Sequence, residues 1–328
     1  MKDIFYKIVS VLKRDRSFMH DAVWNMVAFM VYICSQQVLL LPVMAKLLDS
    51  DGYAKLILSI TLMNVFCNVL GGQLGVTHQL LKNQYVGQEE YEHSDFLLLM
   101  TMASLLITIC FPIILLFLKF DIISVIFVTI TVLISNFRLY IRYHFRITGN
   151  YKYMLFQNLC YLFGIGIGIV LQFAVKIMWL PIVLGELFAG LFTLIVVPVR
   201  FAKLQLTENL SSTLKRYSGL GFADALLNLV TMIDKLLIYP LMGAQSLAVY
   251  NSGAATSKVA ALLVNPLNDV ILVKLSKTKD GGRTKILKTV ISVSFIAMFR
   301  CLLSLNNCHF CTTKLTYFPC HGSPRYKL

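Results

Sequence analysis

The stretch Phe222–Met242, FADALLNLVTMIDKLLIYPLM, sets two acids and a base inside an otherwise apolar run. On a helix that turns about 100° per residue, Asp224, Asn228, Thr231 and Lys235 share one face. Asp234 points elsewhere, so it is not simply paired with its neighbour Lys235. A second stripe aligns Asn251, Lys258, Asn265 and Asp269, with Pro266 placed to bend its helix. A third aligns Asn64, Asn68, Gly71, Gly75 and His78, and a fourth Asn25, Tyr32 and Gln36. An ionised side chain at mid-bilayer costs about 2.5–3.5 kcal/mol or more, so it persists where it faces protein or a wet cavity. Such stripes either line a polar cavity or make interhelical hydrogen bonds that only hold a bundle together. Glu186, in PIVLGELFAG, is the single acid of its run. It reads either as a protonated carboxyl packed between helices or, with Asp224 and Asp234, as a candidate for binding a coupling ion.

The elements that must position these groups follow from composition. Of 328 residues, 57% are hydrophobic and 14% charged, and the mean hydropathy is +0.72. Soluble domains carry roughly 25% charged residues. Phe96–Leu118 has no charge over 23 positions, and about 20 apolar residues of helix cross a bilayer core. Lipid offers the backbone no hydrogen bonds, so such runs are helical. The expected fold is an all-α polytopic membrane protein. Eight spans are read: Ala22–Val43, Leu56–Leu81, Phe96–Leu118, Ile122–Phe137, Met154–Val175, Ile177–Val199, Tyr217–Met242 and Leu247–Leu272. A ninth begins near Ile286 and fails around Arg300. Short of Asn136 at the end of span four, only Thr and Ser interrupt the apolar bodies of spans three and four. Spans one, two, seven and eight are therefore expected to surround a shared polar interior, with three and four facing lipid or packing at a distance.

Residues 1–20 form a basic segment without the apolar core and cleavage site of a signal peptide. Its Ile4, Phe5, Ile8, Val9 and Leu12 lie at helical spacing among Lys and Arg, which suits either a helix on an anionic membrane surface or a frayed basic terminus. With the N-terminus cytoplasmic, inside segments carry 20 Lys and Arg, counting Arg138, Arg142, Arg146 and Lys152 after span four; outside loops carry 4. That asymmetry follows the positive-inside rule, and the net charge of +14 is mainly topological. No basic module for nucleic acid is gathered anywhere. Gly164, Gly166 and Gly168 follow no strand and make no nucleotide fingerprint; close helix packing or local flexibility is expected there. Cys34, Cys67, Cys110 and Cys160 are scattered singly and imply no disulfide scaffold.

The chain also repeats itself. LLLPVMAKLLDSDGY from Leu39 and LIYPLMGAQSLAVY from Leu237 occupy equivalent places six spans apart, pairing Pro42 with Pro240 and Tyr53 with Tyr250. Parallel six-helix repeats are a transporter architecture. The stretches LLLPVMAKLLDSDGYAKLILSI and MIDKLLIYPLMGAQSLAVYNSGAATSKVAALLVNPLNDVILVKLSK resemble the polysaccharide and O-antigen flippases of the multidrug/oligosaccharidyl-lipid/polysaccharide exporter superfamily, over roughly residues 1–290. The resemblance implies two six-helix halves around a cavity bordered by helices one, two, seven and eight. It implies movement of undecaprenyl-pyrophosphate-linked oligosaccharide between leaflets of the bacterial inner membrane, without catalysis and without a cofactor. Lys235 and Lys258 would then meet the phosphates, and Asn64, Asn68, Asn228 and Asn251, with Thr231 on the same face, the sugar. Other membrane lipids and a polysaccharide polymerase are the further partners. A multidrug antiporter of the same superfamily is the nearest alternative, and a membrane polysaccharide polymerase the next, though the short outer loops hold no cluster of catalytic acids.

Four regions result: the basic segment 1–20, a first six-helix half over 21–200, a partial second half over 217–300, and a Cys-rich tail over 301–328. The tail, with Cys308, Cys311, Cys320 and His321, matches no zinc-ligand spacing and no metal site is expected. It reads as a shifted frame or premature end, leaving the second half incomplete.

Overall fold

The computed structural model describes residues 16–197 and 207–254. These are helical, with no strand among them. Helix α1 (Arg16–Ile33) runs through a π-helical turn (Cys34–Leu40) into α2 (Leu41–Leu47). Helix α3 (Ser50–Cys67) likewise passes through a π-helical turn (Asn68–Gly72) into α4 (Gln73–Leu81). Then follow α5 (Glu89–Phe117), α6 (Ile122–Thr148), α7 (Tyr151–Val175), α8 (Leu180–Val196), α9 (Leu210–Met242) and α10 (Ala244–Ala254). Five stretches are long and apolar enough to cross a membrane: Val23–Leu47, Ser50–Tyr85, Glu89–Phe117, Ile122–Thr148 and Tyr151–Val175. Helix α9 adds a sixth if its two parts, bent by 49°, count as one, and α8 is a shorter apolar helix. The chain is thus an all-α polytopic protein, its composition and helices those of a membrane protein.

Local signals set the boundaries. Asp49 caps α3 by accepting from the Gly52 amide at 3.2 Å, and Asp121 caps α6 by accepting from the Ser124 amide at 2.9 Å. Gly149, at φ 73°, ends α6 in the left-handed conformation that glycine adopts without a Cβ penalty, and α7 starts two residues later. Pro181 sits in the first turn of α8, where its missing N–H would lack a partner anyway.

Small residues let the helices approach. A Cβ on Gly164 would lie 2.4 Å from the Leu184 carbonyl oxygen, and one on Gly168 2.3 Å from Pro181 Cα, so α7 and α8 pack backbone to backbone. A Cβ on Gly71 would sit 2.3 Å from the Asn136 carbonyl oxygen, bringing the π-turn of the second span against α6. Around these contacts Leu40, Met44, Leu56, Leu58, Phe111 and Leu115 fill the main core. Outside it, Ile109, Ile113, Phe117, Ile123, Phe163, Val170, Phe173 and Ile195 are exposed, the apolar belt expected against hydrocarbon.

Two expectations need correction. Span four does not stop at Phe137: α6 continues to Thr148 and carries Arg138 and Arg142 buried within it. None of the four charges read into the loop after span four is a loop charge: Arg146 lies in the same helix and Lys152 in α7. Nor does span four pack at a distance, because α6 lies against α3, α4, α5 and α8. Both departures share a cause: an arginine ends a hydropathy window but not a helix whose neighbour offers it a carboxylate. The ninth span, the tail and residues 1–15 lie outside the described residues.

Gly164 and Gly166 give a test of the α7–α8 contact. Overpacking costs typically 1–3 kcal/mol, so Gly164→Ala should destabilise the purified protein by about 2 kcal/mol or more. Gly166, whose added Cβ meets nothing within 4 Å, should tolerate alanine within about 0.5 kcal/mol; thermal unfolding in detergent compares the two.

Candidate functional site

Three of the stripes meet. Asn64 on α3, Lys235 on α9 and Asn251 on α10 line one small cavity with Gln37 of the first π-turn and Thr61 of α3. Leu41, Ile57, Ile60 and Met232 complete its walls, and its volume is about 30 Å³. Such a space holds about one water molecule. Lys235 is 4% exposed and Asn251 3%, so an ammonium and an amide stand well away from bulk solvent. Asn251 also lies beside Tyr53 at the start of α3. The repeated corners thereby touch: Tyr239, before the second corner, donates to Asp51 of the first at 3.1 Å.

The remaining candidates fall elsewhere. Asp224 and Asn228 bond each other, the amide nitrogen donating to the carboxylate at 2.9 Å, and Gln73 of α4 stands beside Asp224. Eleven residues of helix separate Asp224 from Lys235, about 16 Å at 1.5 Å per residue before the bend in α9 is counted. The stripe is one face with two sets of neighbours. Asp234 accepts from its own neighbour's amide, Lys235 N, at 2.8 Å and from the Tyr250 hydroxyl. Asn68 lies in the second π-turn and is exposed. The Thr231 side chain and Lys258 lie outside the described residues.

Glu186 has a cationic partner in the same interior. Arg138 grips it with both arms of its guanidinium, Nε to Oε2 at 2.7 Å and Nη2 to Oε1 at 2.9 Å, with both side chains at 0% exposure. The rings of Tyr32 and Tyr161 stand 5.5 and 5.4 Å from the guanidinium carbon, within the range at which an aromatic face attracts a cation. Gln36 donates to both hydroxyls, at 3.0 Å to Tyr32 and 2.9 Å to Tyr161. One turn along α6, Arg142 reaches Gln157 and Asn158 of α7. Gln157 then donates to Thr193 at 2.6 Å, and Asn158 to the Ala28 carbonyl at 2.6 Å. A polar core therefore runs through α1, α6, α7 and α8.

Sequence reasoning missed most of it. Tyr32 and Gln36 were legible as a stripe on span one, but Arg138 and Arg142 were assigned to a loop. Gln157 and Asn158 sit near the start of their span, where polar residues draw no notice. The Gly185 and Gly190 flanks of Glu186 were the available signal that its helix is closely packed.

A third cluster lies where α4, α5 and α6 meet. His78 is buried between the rings of Phe96 and Tyr143, at centroid distances of 3.7 and 4.0 Å. Its Nε2 contacts Glu92 Oε1 at 2.7 Å and its Nδ1 the Tyr140 hydroxyl at 3.0 Å, with Lys82 also on Glu92 at 3.2 Å. With Nε2–H donating to the carboxylate, Nδ1 is left to accept from Tyr140. Nearby, fully buried Asp95 accepts from Thr207 at 2.6 Å and from Tyr85 at 2.7 Å, and Tyr85 pairs with Thr213 on α9. Glu92 thus ties α4 to α5, and Asp95 fastens α5 to the segment leading into α9.

Removing one partner of a buried ion pair costs about 3–5 kcal/mol, because the other charge is stranded. Arg138→Met and Glu186→Met should each destabilise by that amount. The double variant should be markedly less destabilised than the sum of the two. Denaturant unfolding of the four proteins checks the coupling.

No protein-family model matches the chain, and neither a curated protein nor a solved structure is detectably similar to it.

Proposed function

We propose that this chain carries the substrate site of a transporter that flips lipid-linked oligosaccharide across a bacterial inner membrane, its N-terminus cytoplasmic. The observation that carries the reading is the convergence of Gln37, Asn64, Lys235 and Asn251 from the first, second, seventh and eighth spans on one polar cavity. A sugar-pyrophosphate headgroup cannot enter hydrocarbon without losing its hydration. A buried ammonium engages a phosphate as a point charge, and amides replace water at sugar hydroxyls. Lys258 and Asn68 extend that set in the proposal, and the lipid tail stays in the bilayer beside the exposed apolar belt.

The cavity as it stands accommodates about one water, so a headgroup requires α9 and α10 to move away from α1–α4. Two π-helical turns, one in each of the spans that would be left behind, supply places to bend. The site's acids favour an anionic cargo over a cationic drug. Asp234 is engaged by Tyr250 and Asp224 by Asn228; neither acid lines the cavity, and Lys235 does. Asp224 is the acid we assign to proton or sodium coupling, since Glu186 is committed to Arg138. A polysaccharide polymerase is the expected downstream partner.

The test is complementation of a bacterial strain that lacks its own flippase. A hydrogen bond to a charged group contributes about 1.5–3 kcal/mol, so Lys235→Ala should lower surface polysaccharide about ten- to a hundredfold at equal protein level, and Lys235→Arg should retain more. Full presentation by Lys235→Ala removes the phosphate role; accumulation of inward-facing lipid-linked sugar with the unaltered chain removes the transport reading.

A further inference from the structure

The first span changes helix type where its side chains divide between two sites. Within the π-turn Cys34–Leu40, Gln36 donates to Tyr32 and Tyr161, the rings that bracket Arg138. The next residue, Gln37, faces the cavity of Lys235 and Asn251. A π-turn holds one residue more than the α path, so closing it would rotate the following segment by about 100°. That rotation would carry Gln37 off the cavity. Short π-turns are rare and concentrate at functional sites, and this one is tied down by a buried side chain: Gln36 is 4% exposed and both its bonds go to the aromatic clamp.

We propose that Gln36 is a positioning residue of the candidate site: the Arg138–Glu186 pair, through Tyr32, Tyr161 and Gln36, fixes the π register that sets Gln37 in the Lys235 cavity. The pair orients the clamp because the bidentate grip fixes the guanidinium plane between the two rings. The clamp holds the amide of Gln36 because both hydroxyls accept from one nitrogen. Conversely, a guest that displaced Gln37 would pull on Gln36 and so on the ion pair, making the turn a link between the cavity and the polar core. The second π-turn faces the same helix, with Gly71 against the backbone of Asn136, two residues before Arg138. Arg138 therefore lies on a helix in contact with one π-turn and governs the other through its aromatic partners.

This deepens the reading of the Lys235 cavity as the site but needs no substrate to test. The full chain in lipid nanodiscs is compared with Gln36→Leu, Glu186→Gln and Gln36→Glu by hydrogen exchange. A photo-crosslinking residue placed at position 37 reports contact with α9. Gln36→Leu should speed exchange of the amides over residues 34–40 at least tenfold, leave those over 55–63 unchanged, and lose most of the crosslink to α9. Glu186→Gln should do the same with Gln36 intact, which a merely local role for Gln36 does not produce. Gln36→Glu, which accepts from both hydroxyls instead of donating, should recover protection. Unchanged exchange and crosslinking in Gln36→Leu overturn the proposal, and so does an effect of Gln36→Leu that spreads equally to 55–63. Should Glu186→Gln fail to fold, Gln36→Leu and Gln36→Glu decide the matter alone. Loss of complementation with this coupling intact would defeat the flippase reading and not this one.

Discussion

An arginine and a glutamate with no solvent exposure meet inside a bundle whose outer face is hydrocarbon. Desolvating either charge alone costs several kcal/mol, and their attraction offsets this only with good geometry and further partners. That requirement organises the first six helices. It carries α6 past the end of its apolar body to present Arg138. It brings α8 close enough, over glycines 164, 168 and 185, for Glu186 to be reached. It draws Tyr32 from α1 and Tyr161 from α7 to flank the guanidinium. A bidentate pair also fixes orientation as well as distance, which four helices held only by apolar packing in lipid would lack.

Two other polar regions depend on that arrangement without sharing its residues. The cavity of Lys235 lies between the first two spans and helices α9 and α10. The cluster of His78, Glu92, Asp95 and Tyr85 closes the opposite connection, tying Thr207 and Thr213 at the beginning of α9 to α5. The bundle of α1, α6, α7 and α8 is therefore locked internally by an ion pair, and α9 is held at its start by hydrogen bonds to Tyr85 and, through Thr207, to α5. A neutral hydrogen bond contributes about 0.5–1.5 kcal/mol and one to the Asp95 carboxylate about 1.5–3, each below the roughly 3–5 kcal/mol of stranding one partner of a buried ion pair. They are easier to exchange than a desolvated ion pair, so α9 and not α6 is the element suited to shift.

The class of fold was legible because hydropathy is additive: long apolar runs identify spans whatever they pack against. Convergence of Asn64, Lys235 and Asn251 was legible because helical spacing puts each on a recognisable stripe. What stayed hidden depends on partners far apart in the chain. Arg138 and Glu186 are 48 residues apart, and nothing local marks either as paired. Arg138 instead looked like the first charge beyond a membrane span. Stripes were also read as pointing to one interior, yet Gly71, Gly75 and His78 turn toward α6, while Asn68 is exposed. A straight helical wheel cannot register that the helix changes period at Asn68–Gly72, where the π-turn rotates everything beyond it. The glycines of span five divided likewise: 164 and 168 serve contact, while 166 faces open space.

The central claim is that Gln37, Asn64 and Lys235 border a polar pocket that water and small polar reagents can enter in the membrane. The most direct measurement is the rate at which a small membrane-impermeant thiol reagent labels Asn64→Cys in intact lipid nanodiscs, above the background of the parent chain. Leu56→Cys, on the same helix and fully buried, is the comparison. The account predicts labelling at 64 at least tenfold faster than at 56, because the movement of α9 and α10 that admits a headgroup also admits the reagent, and labelling slowed by inorganic phosphate or pyrophosphate that enters the opened pocket. Equal, negligible rates at both positions in folded protein would contradict it.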